Sequence, residues 1–366
     1  MARVLVAMSG GVDSSVAAAL LREQGYEVLG VTLRLLDMPE ASGEESGCCS
    51  LDAVRRAQAV CRQLGIPHYT FNFVSIFERE VIAPFVADYA SGRTPNPCLR
   101  CNMEVKWGEL LRRARGAGCE FLATGHYARR RDEAGRRQLL RGADPTKDQS
   151  YALYGLSQPA LAATLLPLGE LTKSEVRARA AELSLPTADT AESQDICFIP
   201  AGDYRDFLRE RLPFRPGPVV DETGAVLGEH QGLPGYTLGQ RKGLGIGGGE
   251  PLFVVAKDLP GNRLVVGRRA GAAQREVHVE QVNWLSQEPP PPGEALPAEV
   301  ELRYRGVPVP AQMTALPGDR ALLHLAPHEQ AVVPGQAAVW YRGDLLLGGG
   351  LISLPDPPTE GICPHE

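Results

Sequence analysis

The apolar positions of this chain open as an unbroken run over residues 4–7, break at SGG, and resume as VAAALL over residues 16–21. A short solid run is a buried strand, and the alanine- and leucine-rich continuation has helical composition, so the pattern predicts strand, glycine turn and a helix over 14–24. The alternation repeats with EVLGVTLRLL as a strand, a helix through 52–64, HYTFNF as a strand, helices over 76–89 and 104–117, and the apolar strand EFLATGH. Strands alternating with helices predict an α/β fold, a doubly wound parallel sheet covered on both faces. Thr172 and Glu175 form a capping-box pair ahead of VRARAAEL, which starts a further helix.

Beyond about Pro200 the period changes. Short β-type runs broken by glycine and proline, among them PGPVVDETGAVLGEH and PLFVVAKDLPGNRLVVG, replace the helical spacing. Four consecutive prolines, residues 289–292, read as a linker, and VELRYRG, VPAQMTAL, DRALLHL and QAAVWYRGDLLLGGGLI predict a small antiparallel β-barrel. The expected units are an α/β domain over 1–205, a small central domain over 206–272 and a carboxyl-terminal barrel over 273–366.

Composition sets limits on these units. With 366 residues, 43% of them apolar, the chain can fill two or three cores. The start MARVLVAMSGG has neither the length nor the cleavage pattern of a secretion signal, and no apolar run could span a bilayer, so a cytoplasmic protein without membrane contact is expected. Eight irregularly spaced cysteines then point to thiols kept for packing, metal or catalysis rather than to a disulfide framework. The net charge of -6 argues against gripping nucleic acid by bulk charge. Residues 100–141 nevertheless hold eleven basic against five acidic side chains, which reads equally as a nucleic-acid patch or as a solvated helix face and hairpin.

MSGGVDSS, residues 8–15, sits at a strand-to-helix turn, where helix amino termini bind anions. A Walker loop would carry a lysine for the β and γ phosphates, and this loop has none. Ser9, Gly10, Gly11, Ser14 and Ser15 offer backbone amides and hydroxyls instead, and Asp13 suits a magnesium ion bridging phosphate oxygens. The stretch SGGVDSS after an apolar strand resembles the PP-loop of the ATP pyrophosphatases, which implies cleavage between the α and β phosphates and transfer of AMP to an oxygen. TGH, residues 124–126, ends another apolar strand and so places Gly125 at the carboxyl edge of the same sheet, where doubly wound folds bind ligands.

The nucleophile that meets such an adenylate is sought among the cysteines. SGRTPNPCLRCN is expected to be a proline-rich loop presenting Cys98 and Cys101, with Arg100, Lys106 and a helix from about Glu104 favouring a Cys101 thiolate. Cys197 lies in DICFIP between apolar neighbours. A zinc site lacks its second CxxC and a redox dithiol lacks the rest of its fold's pattern, whereas sulfur transfer accounts for more of the residues. Cys48, Cys49, Cys61 and Cys119 fall in or near helix and strand patterns and default to packing, and Cys363 falls in the tail.

With SGGVDSS, GCCSLDAVRRA, TPNPCLRCN, ATGHY, LLRGADPTKDQSYALYGLS, ICFI, GEHQGLPGYTLGQRKGLGIGG and PGQAAVWY in this order, the chain resembles the bacterial tRNA-specific 2-thiouridylases from its first strand to about residue 351. The resemblance implies a PP-loop ATP-binding catalytic domain, a small central domain and a carboxyl-terminal β-barrel. It implies use of ATP and Mg2+ to adenylate the C2 oxygen of the wobble uridine of tRNA, and replacement of that oxygen by sulfur from a persulfide supplied by a sulfur-relay donor protein. By motif, Cys197 would carry the persulfide, Cys101 would be its disulfide partner, and Asp13 would join them in catalysis. ATP contacts would fall on Ala7, Met8, Ser9, Gly10, Gly11, Val12, Asp13, Ser14, Leu33 and Gly125. Contacts to tRNA would fall on Asn96, Pro97, Cys98, His126, Lys147, Asp148, Gln149, Arg303, Tyr304 and Gln336. A monomer is expected.

Two positions depart from the family pattern. Ala7 stands where glycine is usual, and Cys98 stands where many members have aspartate. A third thiol beside Cys101 and Cys197 would complete three ligands for an iron-sulfur cluster, which keeps a cluster-bearing variant open beside the persulfide route. Two other readings stay open: a PP-loop amidating ligase acting on a small carbonyl substrate, which needs neither Cys101 nor Cys197, and an RNA-binding module whose nucleotide loop only regulates.

Overall fold

The computed structural model describes residues 1–37, 51–133, 135–191, 196–199, 203–247, 250–268, 274–328 and 330–353. Cys48, Cys49 and Cys363, assigned above to packing and to the tail, lie outside them.

The alternating first half folds as expected. Its strands are β1 (Arg3–Ala7), β2 (Glu27–Arg34), β3 (His68–Asn72), β4 (Phe121–Ala123) and, after a hairpin of β5 (Ala128–Glu133) and β6 (Arg136–Arg141), β7 (Thr164–Leu165). The sheet order is β3-β2-β1-β4-β7 and every pairing is parallel. Val4 and Val6 of β1 enter one apolar cluster with Val16 and Ala123, while Leu5 enters another with Val31, Phe73 and Leu122. That split is the two-residue strand period delivering side chains to both faces, as a helix-covered parallel sheet requires. The strand order reverses between β1 and β4, so their carboxyl ends diverge and leave a crevice.

One expectation fails in this domain. The helix placed from Glu104 begins at Pro97, so Cys98 and Cys101 lie in its first turns rather than on an open proline loop. Asn96 is the cap, its side chain accepting the Cys98 N–H at 3.1 Å, and Pro97 fits the first helical position because no N–H is needed there. From Cys101 to Leu110 the backbone runs as a π-helix before returning to α geometry at Leu111–Gly116. So long a stretch of i→i+5 bonding is rare and collects at functional segments.

The central domain is the sheet β10-β11-β8-β9, built from β8 (Gly217–Asp221), β9 (Val226–His230), β10 (Phe253–Asp258) and β11 (Arg263–Gly267), with its own core of Val219, Leu233, Val254, Leu264 and Val266. The last domain is an antiparallel barrel of β12 (Glu276–Trp284), β13 (Ala295–Glu301), β14 (Val309–Leu316), β15 (Arg320–Leu325), β16 (Ala337–Arg342) and β17 (Leu345–Ile352), closed by pairing of β12 with β17. The four prolines at 289–292 lie between β12 and β13 and so connect two barrel strands instead of linking two units.

The β5–β6 hairpin leaves its own sheet and pairs with β17, Leu140 opposite Leu345 and Leu139 opposite Leu346. That pairing decides the fate of the basic stretch. Arg129 bonds Asp344 at 2.6 Å, Arg136 reaches Glu288 and the carbonyls of Trp284 and Leu285, and Arg130 donates to the carbonyls of Leu161, Ala162 and Thr164. Arg141 pairs with Asp148 and Glu301 and lies 3.6 Å over the Tyr341 ring, while Arg112 and Arg113 both hold Glu109. Arg129, Arg136 and Arg141 thus join the first domain to the barrel, while Arg130, Arg112 and Arg113 are bonded within the first domain, a part that neither reading of the stretch gave them. Among the described residues no helix is long and apolar enough to cross a membrane.

Candidate active site

The turn after β1 is shaped by sterics and by serine hydroxyls. Gly10 has φ 75°, and a Cβ there would lie 2.8 Å from the carbonyl carbon of Ala53 in the helix Leu51–Leu64, so a side chain is excluded twice over. Ser14 Oγ accepts the Ser9 N–H at 3.1 Å and donates to the Gly11 carbonyl at 3.1 Å, and Ser15 Oγ donates to the same carbonyl at 2.9 Å. The two hydroxyls therefore hold the loop in shape, and the backbone amides at the start of the helix Val12–Glu23 are aimed into the crevice as a fixed partial positive charge.

Asp13 sits in the first turn of that helix. Lys173 Nζ donates to its two carboxylate oxygens at 2.7 and 2.9 Å, and the Tyr127 hydroxyl donates to Oδ1 at 2.7 Å. Sequence reading missed this lysine. The capping box was legible, and Thr172 does cap the helix Lys173–Glu182, but nothing local indicated that the first side chain of that helix returns across 160 residues to the glycine loop. Asp144 fixes the approach by accepting the Lys173 N–H at 3.0 Å. The Lys173 side chain is 11% exposed against 33% for Asp13, so the cation is held inside and the carboxylate faces the opening.

The other cradle positions lie on neighbouring strand ends. Ala7 is opposite Val31 in the β1–β2 register, and Leu33 follows two residues along β2. A Cβ on Gly125, just past β4, would lie 2.8 Å from the Asp13 carbonyl carbon and 2.9 Å from Ser14 N, so only glycine lets this strand end touch the helix start. A magnesium ion that keeps most of its waters and leans on phosphate oxygens needs one or two protein carboxylates, and Asp13 at the mouth of the cradle fits that limited role.

The thiols singled out in the sequence lie along the first domain's core. Cys101 and Cys197 both pack on the border of the apolar cluster that includes Leu5, Phe77, Phe85 and Phe198. Phe198 anchors the Cys197 turn edge-on against Phe77 and Phe85, at ring distances of 5.7 and 5.2 Å. Cys98 is exposed and lies within electrostatic reach of the Tyr304 phenol of the barrel. Lys106 donates to Asn102 Oδ1 at 2.9 Å, and the Arg100 charge favours the ionised forms of Asp88 and Tyr154. Cys61 and Cys119 are buried, and burial pushes the Cys61 thiol up to about 11, as suits packing residues.

The residues expected to contact tRNA come from two domains, which touch beside them at two places. Gln336 of the barrel donates to the Thr94 carbonyl at 2.7 Å, beside Asn96 and Pro97. Arg305 reaches the Thr146 carbonyl at 3.4 Å, which brings Arg303 and Tyr304 to the loop of Lys147, Asp148 and Gln149. Within that loop Asp148 accepts from Gly142 N, Ser150 N, Ser150 Oγ and Arg141, and Gln149 accepts from the Tyr127 N–H, so both side chains act in holding the loop. Arg303 is exposed.

Comparison with known proteins decides the family. The chain matches models described as the tRNA methyl transferase HUP domain over residues 2–201, the tRNA methyl transferase PRC-barrel domain over 205–268 and the aminomethyltransferase beta-barrel domain over 274–352. It is 51% identical to the tRNA-specific 2-thiouridylase MnmA of Moorella thermoacetica, across 95% of this chain and 98% of that one. It is 50% identical to the protein of the same name from Chloroflexus aggregans, across 97% and 99%. The chain belongs to the tRNA-specific 2-thiouridylase family.

Within the family's crevice His126 stands just beyond Gly125, its Nδ1 2.7 Å from Thr124 Oγ1 and its ring 5.6 Å from that of Trp107. Desolvation first, and Lys106 second, hold its pKa well below the ordinary histidine value, so the ring is neutral at pH 7. An unfolded chain takes up this proton near pH ~6.5 while the native state resists it. The stabilisation is therefore complete above that pH and is lost as pH falls below it. In thermal melts the advantage of the parent over His126→Asn is expected to shrink from pH 7 to pH 5; an advantage independent of pH would contradict the assignment. Among the described residues no three His, Cys, Asp or Glu side chains come together as a metal-holding group, so the cluster variant requires Cys98, Cys101 and Cys197 to move together.

Proposed function

We propose that the protein is an ATP-dependent tRNA sulfurtransferase that places sulfur at C2 of the wobble uridine. The observation that carries the reading is the Asp13–Lys173 pair at a lysine-free glycine cradle, with Cys101 and Cys197 bordering the apolar cluster behind the same sheet. The cradle amides and Lys173 would receive the phosphates of ATP, and Asp13 would hold the Mg2+ that neutralises pyrophosphate as it leaves. The uridine C2 oxygen attacks the α-phosphorus, the bond to the β-phosphate breaks, and an inert carbonyl oxygen becomes part of a departing AMP. A base in a tRNA loop must be turned out of its stack to enter such a crevice, where the rings of Tyr304 and His126 would offer it flat faces.

In the second step the terminal sulfur of a persulfide on Cys197 attacks C2 and AMP leaves. The Cys101 thiolate then attacks Cys197 Sγ, which breaks the sulfur–sulfur bond, frees the thiolated base and forms a Cys101–Cys197 disulfide. Sulfide released by that same disulfide formation before attack is the alternative order. A cellular thiol reductant and a sulfur-relay donor protein restore the cycle, and we place the protein in the cytoplasm as a monomer. Methyl transfer, named in the matched domain descriptions, gives no role to a nucleotide cradle or to a pair of thiols.

The test is anaerobic purification with iron and acid-labile sulfide analysis, paired with an assay for thiolated tRNA. Full turnover with iron near zero supports the persulfide route. Activity that tracks iron content replaces it with a cluster on Cys98, Cys101 and Cys197, and absence of thiolated tRNA with ATP consumed on a small carbonyl compound replaces it with the amidating ligase.

A further inference from the structure

The barrel does more than border the crevice, because it holds the segment that leads into the cysteine helix. Thr94 N–H donates to the Pro334 carbonyl at 2.9 Å, and the Thr94 carbonyl accepts from Gln336 Nε2 at 2.7 Å. Both backbone polar groups of Thr94 are thus taken by one barrel turn, 333–336. Gly335 in that turn has φ 90°, and a Cβ there would lie 3.0 Å from Thr94 N, so the two backbones approach as closely as glycine allows. One residue earlier, Arg93 pairs with Glu280 of β12 at 3.2 Å.

Both ends of this contact are stiff. On the barrel side Gly335 N donates to the Ile352 carbonyl at 2.9 Å and Ile352 N to the Gln336 carbonyl at 2.8 Å, which ties the turn to β17. On the other side, Pro95 and Pro97 fix φ on either side of Asn96, the cap of the helix that carries Cys98 and Cys101. Thr94 Oγ1 also donates to Thr237 Oγ1 of the central domain at 3.5 Å, so all three domains meet at this residue.

We propose that the barrel turn 333–336 is a clamp that sets the position of the Cys98–Cys101 helix through Thr94, with Gln336 as its positioning residue. Its importance for catalysis rests on the sulfur-transfer reading, whereas the clamp itself acts without RNA or ATP. A residue that merely touched tRNA would have no influence on the cysteines of the unliganded protein.

The experiment measures alkylation of Cys101 by iodoacetamide in the full chain, without ATP or tRNA, by peptide mass spectrometry. Gln336→Glu keeps the shape and loses the donor, and Gln336→Ala loses both. Loss of one such hydrogen bond is expected to raise the alkylation rate about fivefold in each. Glu280→Ala, which cuts the Arg93 pair by a separate route, is expected to act in the same direction. In thiolation assays the Gln336 variants lose about the same factor in kcat with the KM for tRNA unchanged. Parental alkylation rates in all three variants overturn the proposal, and with a raised KM and intact kcat they make Gln336 an RNA contact only. Faster alkylation in a protein whose parent thiolates no tRNA keeps the clamp and removes the functional reading instead.

Discussion

Replacing Lys173 with glutamine is expected to slow tRNA-dependent pyrophosphate release by roughly 10²–10³, the range seen when a preorganised charge is taken from a reacting phosphate or oxyanion. The glycine loop has no lysine of its own, and Lys173 Nζ is bonded to its carboxylate, 2.7 Å from Asp13 Oδ1 and 5.7 Å from the Tyr127 ring centre. Lys173→Arg is expected to recover only part of the rate, because the larger guanidinium, though it can pair with a carboxylate, has to enter the largely buried space that a compact ammonium fills. Asp13→Asn separates the two partners. If Lys173 serves only to neutralise Asp13, the double variant will release pyrophosphate faster than Lys173→Gln alone; if both act on the nucleotide, it will be slower. A Lys173→Gln protein within about threefold of the parent would remove the lysine from the chemistry.

Cys197→Ser is expected to leave pyrophosphate release intact and to abolish thiolated tRNA, a loss of at least about 10³-fold, since oxygen cannot carry a transferable sulfur. Cys101→Ser should likewise release pyrophosphate without completing repeated turnovers, with at most one AMP and one thiolation per enzyme when the Cys197 persulfide attacks directly. The two steps are scored separately by pyrophosphate release and by mass analysis of the nucleosides. Thiolation that survives both substitutions would end the persulfide account. Cys98→Asp divides the persulfide and cluster routes further: it removes a cluster ligand but neither of the thiols that the persulfide route uses.

Much of this protein could be read from its residues in order. The strand, glycine turn and helix at residues 3–23 are local physics, since an apolar run, a position with φ 75° and an alanine-rich helix each follow from neighbours within a few residues. The same is true of the β-rich second half and of the Thr172 capping box. The sequence misled where two local signals compete. Prolines at 95 and 97 suggested an open loop, yet Asn96 and Pro97 together are a helix start, and Cys98 and Cys101 follow in its first turns.

By itself, then, the order of amino acids determined the sheet class, the lysine-free cradle and which thiols deserve suspicion, because those depend on side chains adjacent along the chain. Tertiary structure alone decided that Lys173 serves Asp13 across 160 residues, that Gln336 grips Thr94 across 242, and that the arginine-rich hairpin pairs with the barrel at β17. These partners are set by strand register and by how three cores pack against one another, and a contact made that way leaves no periodicity or spacing in the segments it joins.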